Sequence, residues 1–367
     1  MANKIIGKTD VSGAMNLGSV TSNSKRPVLL IGEGVDTTKE IVFKIRGTTD
    51  AAAHFGSTSP CNDIVKALIL NGVKSIFGIC VGDVGTDNTA PYNTSADAYA
   101  AAMDKSLVES EIMVVLLDTT DTDVHKKMAD HLVTAESADI YRYGVVGVPA
   151  ATTDADAVMA LSKTLNSDRM FMGFPNVVDA NNNVLDGCIT AAGVAAVLNT
   201  QTDDPALPTN NTPMAGFGGV SDQITEDTMN KLADAGVTAI FPENGQPTIW
   251  RMVTTAQKLG DEEDAQHSIW HDGTTRLIAD DVLGTVLAKL KANYKRTKNV
   301  TRVLDSIRTD VINVLDNKLA LEIIEEYDPA LVTVVKDPKD HYGALVDYEY
   351  KVVSPLYTIT VTQHVKI

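Results

Sequence analysis

The sequence predicts an α/β fold: a mixed, mainly parallel sheet flanked by helices, then a smaller C-terminal α/β domain, with extended arms at both ends. Three observations predict it. From Pro27 onward, short apolar runs alternate with capped helical stretches, the βαβα order that builds a parallel sheet covered by helices. Two helices, 276–294 and 300–326, then give way to strands across 331–353. Residues 1–26 are small and polar, with Gly7, Gly13 and Gly18, and cannot cover a core of their own. The expected division is an arm over 1–26, a body over 27–275, and a C-terminal inner domain over 276–367 that ends in a strand arm at 357–367.

The elements follow in order. Val28–Ile31 is a short apolar strand and Glu40–Arg46 a second. Ser59 caps a helix with Pro60 at its first position, running through Ile64, Val65, Leu68 and Ile69 to Asn71-Gly72. Before it, His54-Phe55-Gly56-Ser57 reads as a turn. Ser75–Val81 is a strand, followed by a Gly, Asp, Asn, Thr and Pro loop from Gly82 to Thr94. Ser95 caps a helix to Glu109, and Ile112–Leu117 is a buried strand. A helix at Val124–Ala138, a strand at Ile140–Val148, a helix at Asp154–Asn166 and a strand at Arg169–Phe174 continue the alternation. Cys188–Asn199 is an Ala- and Gly-rich helix. Thr225–Ala235 is another, closed by Gly236 and leading into strand Val237–Phe241.

The last ninety residues change character. In 300–326 the apolar positions Val300, Val303, Leu304, Ile307, Val311, Val314, Leu315 and Leu319 recur at steps of three and four. Strands are expected at Leu331–Val335, Leu345–Val353 and Tyr357–Ile367. In the last, Tyr357, Ile359, Val361, Val365 and Ile367 alternate with Thr358, Thr360, Thr362, His364 and Lys366, which buries one face of a strand that nothing later covers. Ser354-Pro355 just before it breaks the preceding strand and supplies a hinge. The strand is therefore expected to join a sheet in a neighbouring subunit, built on Leu345–Val353.

Composition narrows the function. With Lys+Arg 31 against Asp+Glu 48, the 367-residue chain carries −17, which repels nucleic acid. The charge is uneven: Lys4, Lys8, Lys25 and Arg26 outweigh Asp10 in the N-terminal arm, and the tail is near neutral, so the acid excess falls on the body. No run of some 18 apolar residues offers a membrane span, and MANKIIGKTD lacks the apolar core of a secretory signal. Cys61, Cys80 and Cys188 lie far apart without CxxC spacing, which argues against a disulfide framework or a thiolate zinc site and for a reducing compartment.

Chemical motifs are few. Ala2–Thr9 fits a loose phosphate-loop pattern but lacks the strand before and the helix after that would hold phosphate. Gly32-Glu33-Gly34 follows a strand as a dinucleotide fingerprint would, yet position 37 is Thr37, so a turn is the better reading. Gly216, Gly218 and Gly219 sit in a Pro/Asn-rich loop. Asp118-Thr119-Thr120-Asp121-Thr122 stands at the carboxyl end of a strand, with His125 and His131 nearby, and its spacing is similar to the magnesium loop of von Willebrand A-type modules. Such residues also make plain turns, and Asp118, Asp121 and Asp123 are expected to do so. His267 and His271 are four apart without the glutamate that zinc hydrolysis requires, and no Gly-x-Ser-x-Gly elbow occurs. A metal-dependent binding module at Asp118 and a nucleotide-binding enzyme at Gly32 or Gly216 stay open as alternatives.

One feature is concentrated. Lys289, Lys291, Lys295, Arg296, Lys298 and Arg302 fall within fourteen residues with no acid among them. Most such runs are solvated faces, but in a chain this acidic the run reads as a docking surface for an acidic partner.

Three stretches resemble the contractile phage tail sheath proteins, among them the sheaths of R-type bacteriocins. The first is RPVLLIGEG with the 54–57 turn and helix 60–71. The second is AAGVAAVLNTQ…PTNNTPMAGFGGVSDQITEDTMNKLADAGVTAIFPENGQPTIWRMVTT, with its Ala-Gly-Val helix end and a strand carrying Arg251 and Thr254-Thr255. The third is helix 300–326 followed by VVKDP and the closing strands. The resemblance implies a structural subunit that stacks in helical rings as a homo-oligomer around an inner tail tube protein and contracts without nucleotide hydrolysis. It further implies baseplate and tail terminator proteins as partners and a place in a virion or phage-like tail assembled in a bacterial cytoplasm. It implies no catalytic site, no cofactor, no metal, and neither nucleic acid nor membrane as partner. Within it, the basic run is expected to face the tube.

Overall fold

The computed structural model of the protein describes residues 27–34, 41–81, 95–200, 204–257, 269–340 and 342–356. Down the body run β1 (Val28–Glu33), β2 (Phe43–Ile45), α1 (Thr48–Phe55), α2 (Pro60–Leu70), β3 (Ile76–Val81) and α3 (Ala96–Lys105). Next come β4 (Val114–Leu117), α4 (Thr122–Ser137), β5 (Tyr143–Val146), α5 (Ala155–Leu165), β6 (Met170–Phe174), β7 (Val177–Val178) and α6 (Gly187–Thr200). Then follow β8 (Thr212–Pro213), β9 (Gly219–Val220), α7 (Glu226–Asp234), β10 (Thr238–Glu243) and β11 (Gln246–Ile249). The C-terminal lobe holds α8 (Gly273–Asn293), α9 (Thr301–Ala320), β12 (Ile324–Glu326), β13 (Thr333–Lys336), β14 (Ala344–Asp347) and β15 (Lys351–Val352).

Nine strands form one sheet in the order β2-β3-β1-β4-β5-β6-β10-β11-β8. The six from β3 to β10 run parallel, and antiparallel strands close both edges. Both faces are buried, as a parallel sheet requires. Alternation along each strand divides the core: Val28, Leu30, Val114, Leu116 and Val145 meet α1, α2 and α6, whereas Leu29, Ile31, Val115, Leu117 and Val146 meet α3, α4, α5 and α7. Helix α6 is buried from Gly187 through Asn199, which explains why it is uniformly apolar rather than amphipathic.

The caps expected at Ser59 and Ser95 are present, and Asp121, read only as a turn residue, starts its helix two residues earlier than expected. The Ser59, Ser95, Asp121, Asp154 and Thr225 side chains accept first-turn N–H groups of α2, α3, α4, α5 and α7. Besides the two-residue strands β7, β8 and β9, two elements escape the sequence reading. Helix α1 precedes the expected 54–57 turn and takes in its first two residues; Gly47 gives it no side-chain cap, and Ala51 and Phe55 bury one face. Strand β11 follows the two-residue turn Asn244-Gly245, whose φ values of 51° and 79° are those of a type I′ hairpin.

The lobe also corrects the expectation of one helix over 300–326. Helix α9 stops at Ala320, because Glu322 turns left-handed at φ 57° and Ile323 N–H closes back on Lys318 O. Ile324–Glu326 is then a strand, paired antiparallel with β15. The strand expected at 345–353 is likewise two pieces, since β14 pairs with β13 while β15 pairs with β12. A third core fills the lobe from Ile278, Val282 and Val286 of α8 and Val311, Val314 and Leu315 of α9. Residues 1–26 and 357–367, with Tyr357, Ile359, Val361, Val365 and Ile367, lie outside the described residues, as do Thr37, the loop 82–94 and His267.

Candidate functional site

In an open α/β sheet the ligand crevice lies where neighbouring strands send their connections to opposite faces. Here that place is between β1, which leads to α1 and α2, and β4, which leads to α4. Asp118 stands there, just past β4. Its Oδ1 accepts the Tyr99 hydroxyl at 2.6 Å, and its Oδ2 accepts Glu33 N–H at 2.7 Å and the Cys61 thiol at 3.8 Å. Burial pushes the carboxyl up to about 6, the Tyr99 and Glu33 hydrogen bonds opposing it. Burial and the adjacent carboxylate push the Cys61 thiol up as well, so it stays protonated.

The glycines beside it are explained by close packing. A Cβ on Gly32 would sit 2.3 Å from Cys61 Sγ and 2.8 Å from Asp118 Oδ2. One on Gly34 would sit 2.4 Å from Cys80 Sγ and 2.8 Å from His54 O. Directly beside these glycines, where a pyrophosphate would approach the backbone, the protein's own side chains stand.

The remaining candidate ligands are engaged in turn and cap contacts. Asp121 Oδ1 accepts Asp123 N–H at 2.7 Å at the start of α4, and Thr119 Oγ1 accepts Asp121 N–H at 3.2 Å. His125 Nε2 donates to Thr119 O at 3.2 Å. His131 is fully inside, taking a hydrogen bond from Arg142 Nη1 at 3.3 Å on Nε2 and directing Nδ1 to Asp104 at 3.4 Å. Burial drives both histidines down to about 4, the Arg142 charge adding to it at His131. Both ring nitrogens of His271 face carbonyl oxygens, those of Ala256 and Ala233 at 2.7 and 2.8 Å. Among the described residues, no group of three or more His, Cys, Asp or Glu converges as a metal site, and no helix is long and apolar enough to cross a membrane. Gly216 and Gly218 lie in the loop that covers α6, and Gly219, expected in that loop, begins β9 opposite Val178; the Asn71 side chain pins the loop to the end of α2 through both Ala215 backbone groups.

The structure does bring the six basic residues together. Lys289 and Lys291 end α8, Lys295, Arg296 and Lys298 lie on the connection, and Arg302 is in the first turn of α9; all six are exposed. The tip is held by Asn293 and Tyr294, both donating to Asp310 Oδ2 at 2.8 Å. Lys291 alone leans back to the body, 3.4 Å from Asp139. Thr254 and Thr255 serve the body: Thr255 Oγ1 bonds both backbone groups of Ser167 at 3.0 Å, and Thr254 Oγ1 donates to Trp270 O at 2.7 Å. They do not lie on the expected strand: β11 ends at Ile249, and beyond it only isolated bridges form at Val253 and Thr254, while Arg251 lies over Trp250.

Sequence reading missed a cluster of the buried Arg169, Arg276 and Asp280 with the partly exposed Glu136 and Asp168 at the amino ends of β5 and β6. Its one local signal is the four-residue spacing of Arg276 and Asp280.

Comparison with known proteins gives this architecture relatives. Residues 93–255 match the phage tail sheath protein central domain, and residues 14–171 match the N-terminal domain of the DUF2586 family. No curated protein matches in sequence. The helical sheath of the anti-feeding prophage in its contracted state superposes with TM-score 0.71 at 15% identity, over 99% of this chain and 99% of that one. The contracted sheath complex PVC of an extracellular contractile injection system gives 0.69 at 11% identity, over 99% and 98%. The sheath tail protein of Desulfitobacterium hafniense gives 0.67 at 10% identity, over 93% and 100%. Residues 93–255 thus match a phage tail sheath central domain, and the chain has, over nearly its whole length, the fold of the sheath proteins of contractile injection systems.

Proposed function

We propose that the protein is the structural subunit of a contractile tail sheath, polymerising as helical rings around an inner tube and contracting to drive that tube through a cell envelope. The carrying observation is the match of the central domain within a chain whose fold aligns end to end with sheath subunits. The filled crevice at Gly32, Cys61 and Asp118 favours a structural role over the nucleotide-binding alternative. Force then comes from relaxation of a metastable lattice rather than from bound nucleotide.

In this reading the body, 27–275, is the rigid unit and the lobe from 276 onward faces inward. The exposed tip 289–302 meets an acidic tube surface, since opposite charges bias register and still release on firing. Baseplate and terminator proteins close the two ends. The arms 1–26 and 357–367 add strands to the lobe of neighbouring subunits and keep them joined while bodies rotate. Two features support the strand addition. The pairs β12–β15 and β13–β14 are each only two strands wide among the described residues, and the facing Val335 and Leu345 are 52% and 42% exposed. Reversing charge at Lys295, Arg296 and Lys298 tests the tube contact: the subunit should stay folded while assembly around the tube fails. Normal assembly and firing would refute that contact, and a protein that remains a monomer at every concentration would refute the sheath reading.

A further inference from the structure

Arg169, the residue before β6, is 1% exposed and grips Asp280 of α8 with both terminal nitrogens, Nη1 to Oδ2 at 2.6 Å and Nη2 to Oδ1 at 3.0 Å. Its Nη2 also reaches Glu136 Oε1 at 2.8 Å, at the end of α4. Arg276, one turn before Asp280, donates to the same Glu136 oxygen at 2.7 Å and to Asp168 Oδ2 at 3.0 Å. Tyr143 of β5 donates to Asp280 Oδ2 at 2.5 Å. Aromatic faces close the cluster, with Arg169 over Tyr141 and Tyr143 and Arg276 over Trp270.

The next residue along α8 faces the other way. Asp281 accepts from Lys318 of α9, while Ile278, Val282 and Val286 enter the third core. One end of α8 is therefore tied by charge to the body and the rest is packed into the lobe, with the basic tip at its far end.

We propose that Glu136, Asp168, Arg169, Arg276 and Asp280 are positioning residues forming a keyed joint, which fixes the rotation and tilt of α8 and hence where the body holds the 289–302 tip. Apolar contacts are non-directional and tolerate small rotations. A bidentate guanidinium–carboxylate pair has one geometry, and a buried charge without its partner is costly. A slip of one residue turns the helix by roughly 100° and would withdraw Asp280 from Arg169. Leverage makes this matter. Asn293, the last residue of α8, lies roughly 20 Å along the helix axis from Asp280, so a tilt of about 10° displaces the base of the tip by about 3 Å, enough to break a salt bridge. This inference rests on the geometry of the single subunit and stands apart from the sheath reading.

Paired spin labels test it. Cys61, Cys80 and Cys188 are all buried, so cysteines placed at exposed Lys163 on α5 and Asn313 on α9 label selectively. The unaltered joint should give one narrow distance distribution by pulsed dipolar spectroscopy. Arg169→Met with Asp280→Asn removes both charges at similar volume and keeps an acceptor for the Tyr143 hydroxyl, so the variant should stay folded: no uncompensated charge of the pair is left buried. Its distribution should broaden by about twofold or more, since specificity is lost while burial is kept. Glu136→Gln, at a side chain 42% exposed and so tolerated by the fold, should give an intermediate width. A wild-type distribution in either folded variant overturns the proposal.

Discussion

The Tyr99 hydroxyl closes on Asp118 Oδ1 at 2.6 Å, bringing α3 down over the carboxyl end of β4. With Glu33 N–H and Cys61 on the other oxygen, this contact fills the position from which open α/β sheets recruit ligands. Among the described residues, the oxygens of Asp118 are thus taken by the protein's own groups where such a sheet would present them to a ligand.

Packing at that seal makes Gly32→Ala costly. The added methyl meets Cys61 Sγ at 2.3 Å and Asp118 at 2.8 Å, so β1 or the carboxylate must move. Stability should fall by about 1–3 kcal/mol, seen as a lower urea midpoint at unchanged slope. An unchanged midpoint would mean that the crevice has room.

Chelation should leave the melting temperature unchanged. The oxygens of the 118–123 loop already serve Tyr99, Glu33 N–H, the α4 cap and Lys126 at 3.0 Å. A clear drop with EDTA, restored by Mg²⁺, would reinstate the metal loop.

Acid should weaken the body through its histidines. His125 and His131 stand at about 4 against 6.5, so the unfolded chain binds more protons between these values and stability falls as pH drops through that window. Asp118, at about 6 against 3.8, has the opposite sign: the folded state holds its proton, so its contribution improves as pH falls. Two losses, each on the order of 3 kcal/mol, outweigh one gain of similar size. His131→Gln keeps an acceptor for Arg142 and a donor for Asp104 without titrating. Its urea midpoint should therefore drop less between pH 6.5 and 4 than the wild type's; an identical drop would remove His131 from the account.

Much of this was legible in the sequence because it is local. Ser59, Ser95, Asp154 and Thr225 announce helix starts, and alternating apolar runs announce a sheet buried on both faces. The basic run was legible because six like charges in a row leave a helical hairpin nowhere to put them but its tip. What escaped depends on partners distant in sequence. The end of α9 is set by the left-handed Glu322 and by the pairing of Ile324 with Val352, neither of which interrupts the apolar spacing. The Arg169–Asp280 pair joins residues 111 apart and has no periodic signature. Helix α1 is held by Ala51 and Phe55 against the core without a side-chain cap, so nothing marks its start.

Removing residues 357–367 should leave a folded monomer that cannot polymerise. The lobe core of Ile278, Val311 and Leu315 is built by the described residues, among which the exposed Val335–Leu345 pair lacks a covering strand. Circular dichroism and sedimentation read the two halves of this outcome. Tubes formed by the truncated chain would exclude the arm as the link.

The most direct measurement is electron microscopy of the concentrated protein followed by helical reconstruction. The account predicts hollow tubes of stacked rings, with the nine-stranded body outside and the 289–302 tip lining the lumen. A monodisperse monomer at all concentrations, or tubes with that tip on the outer surface, would contradict it.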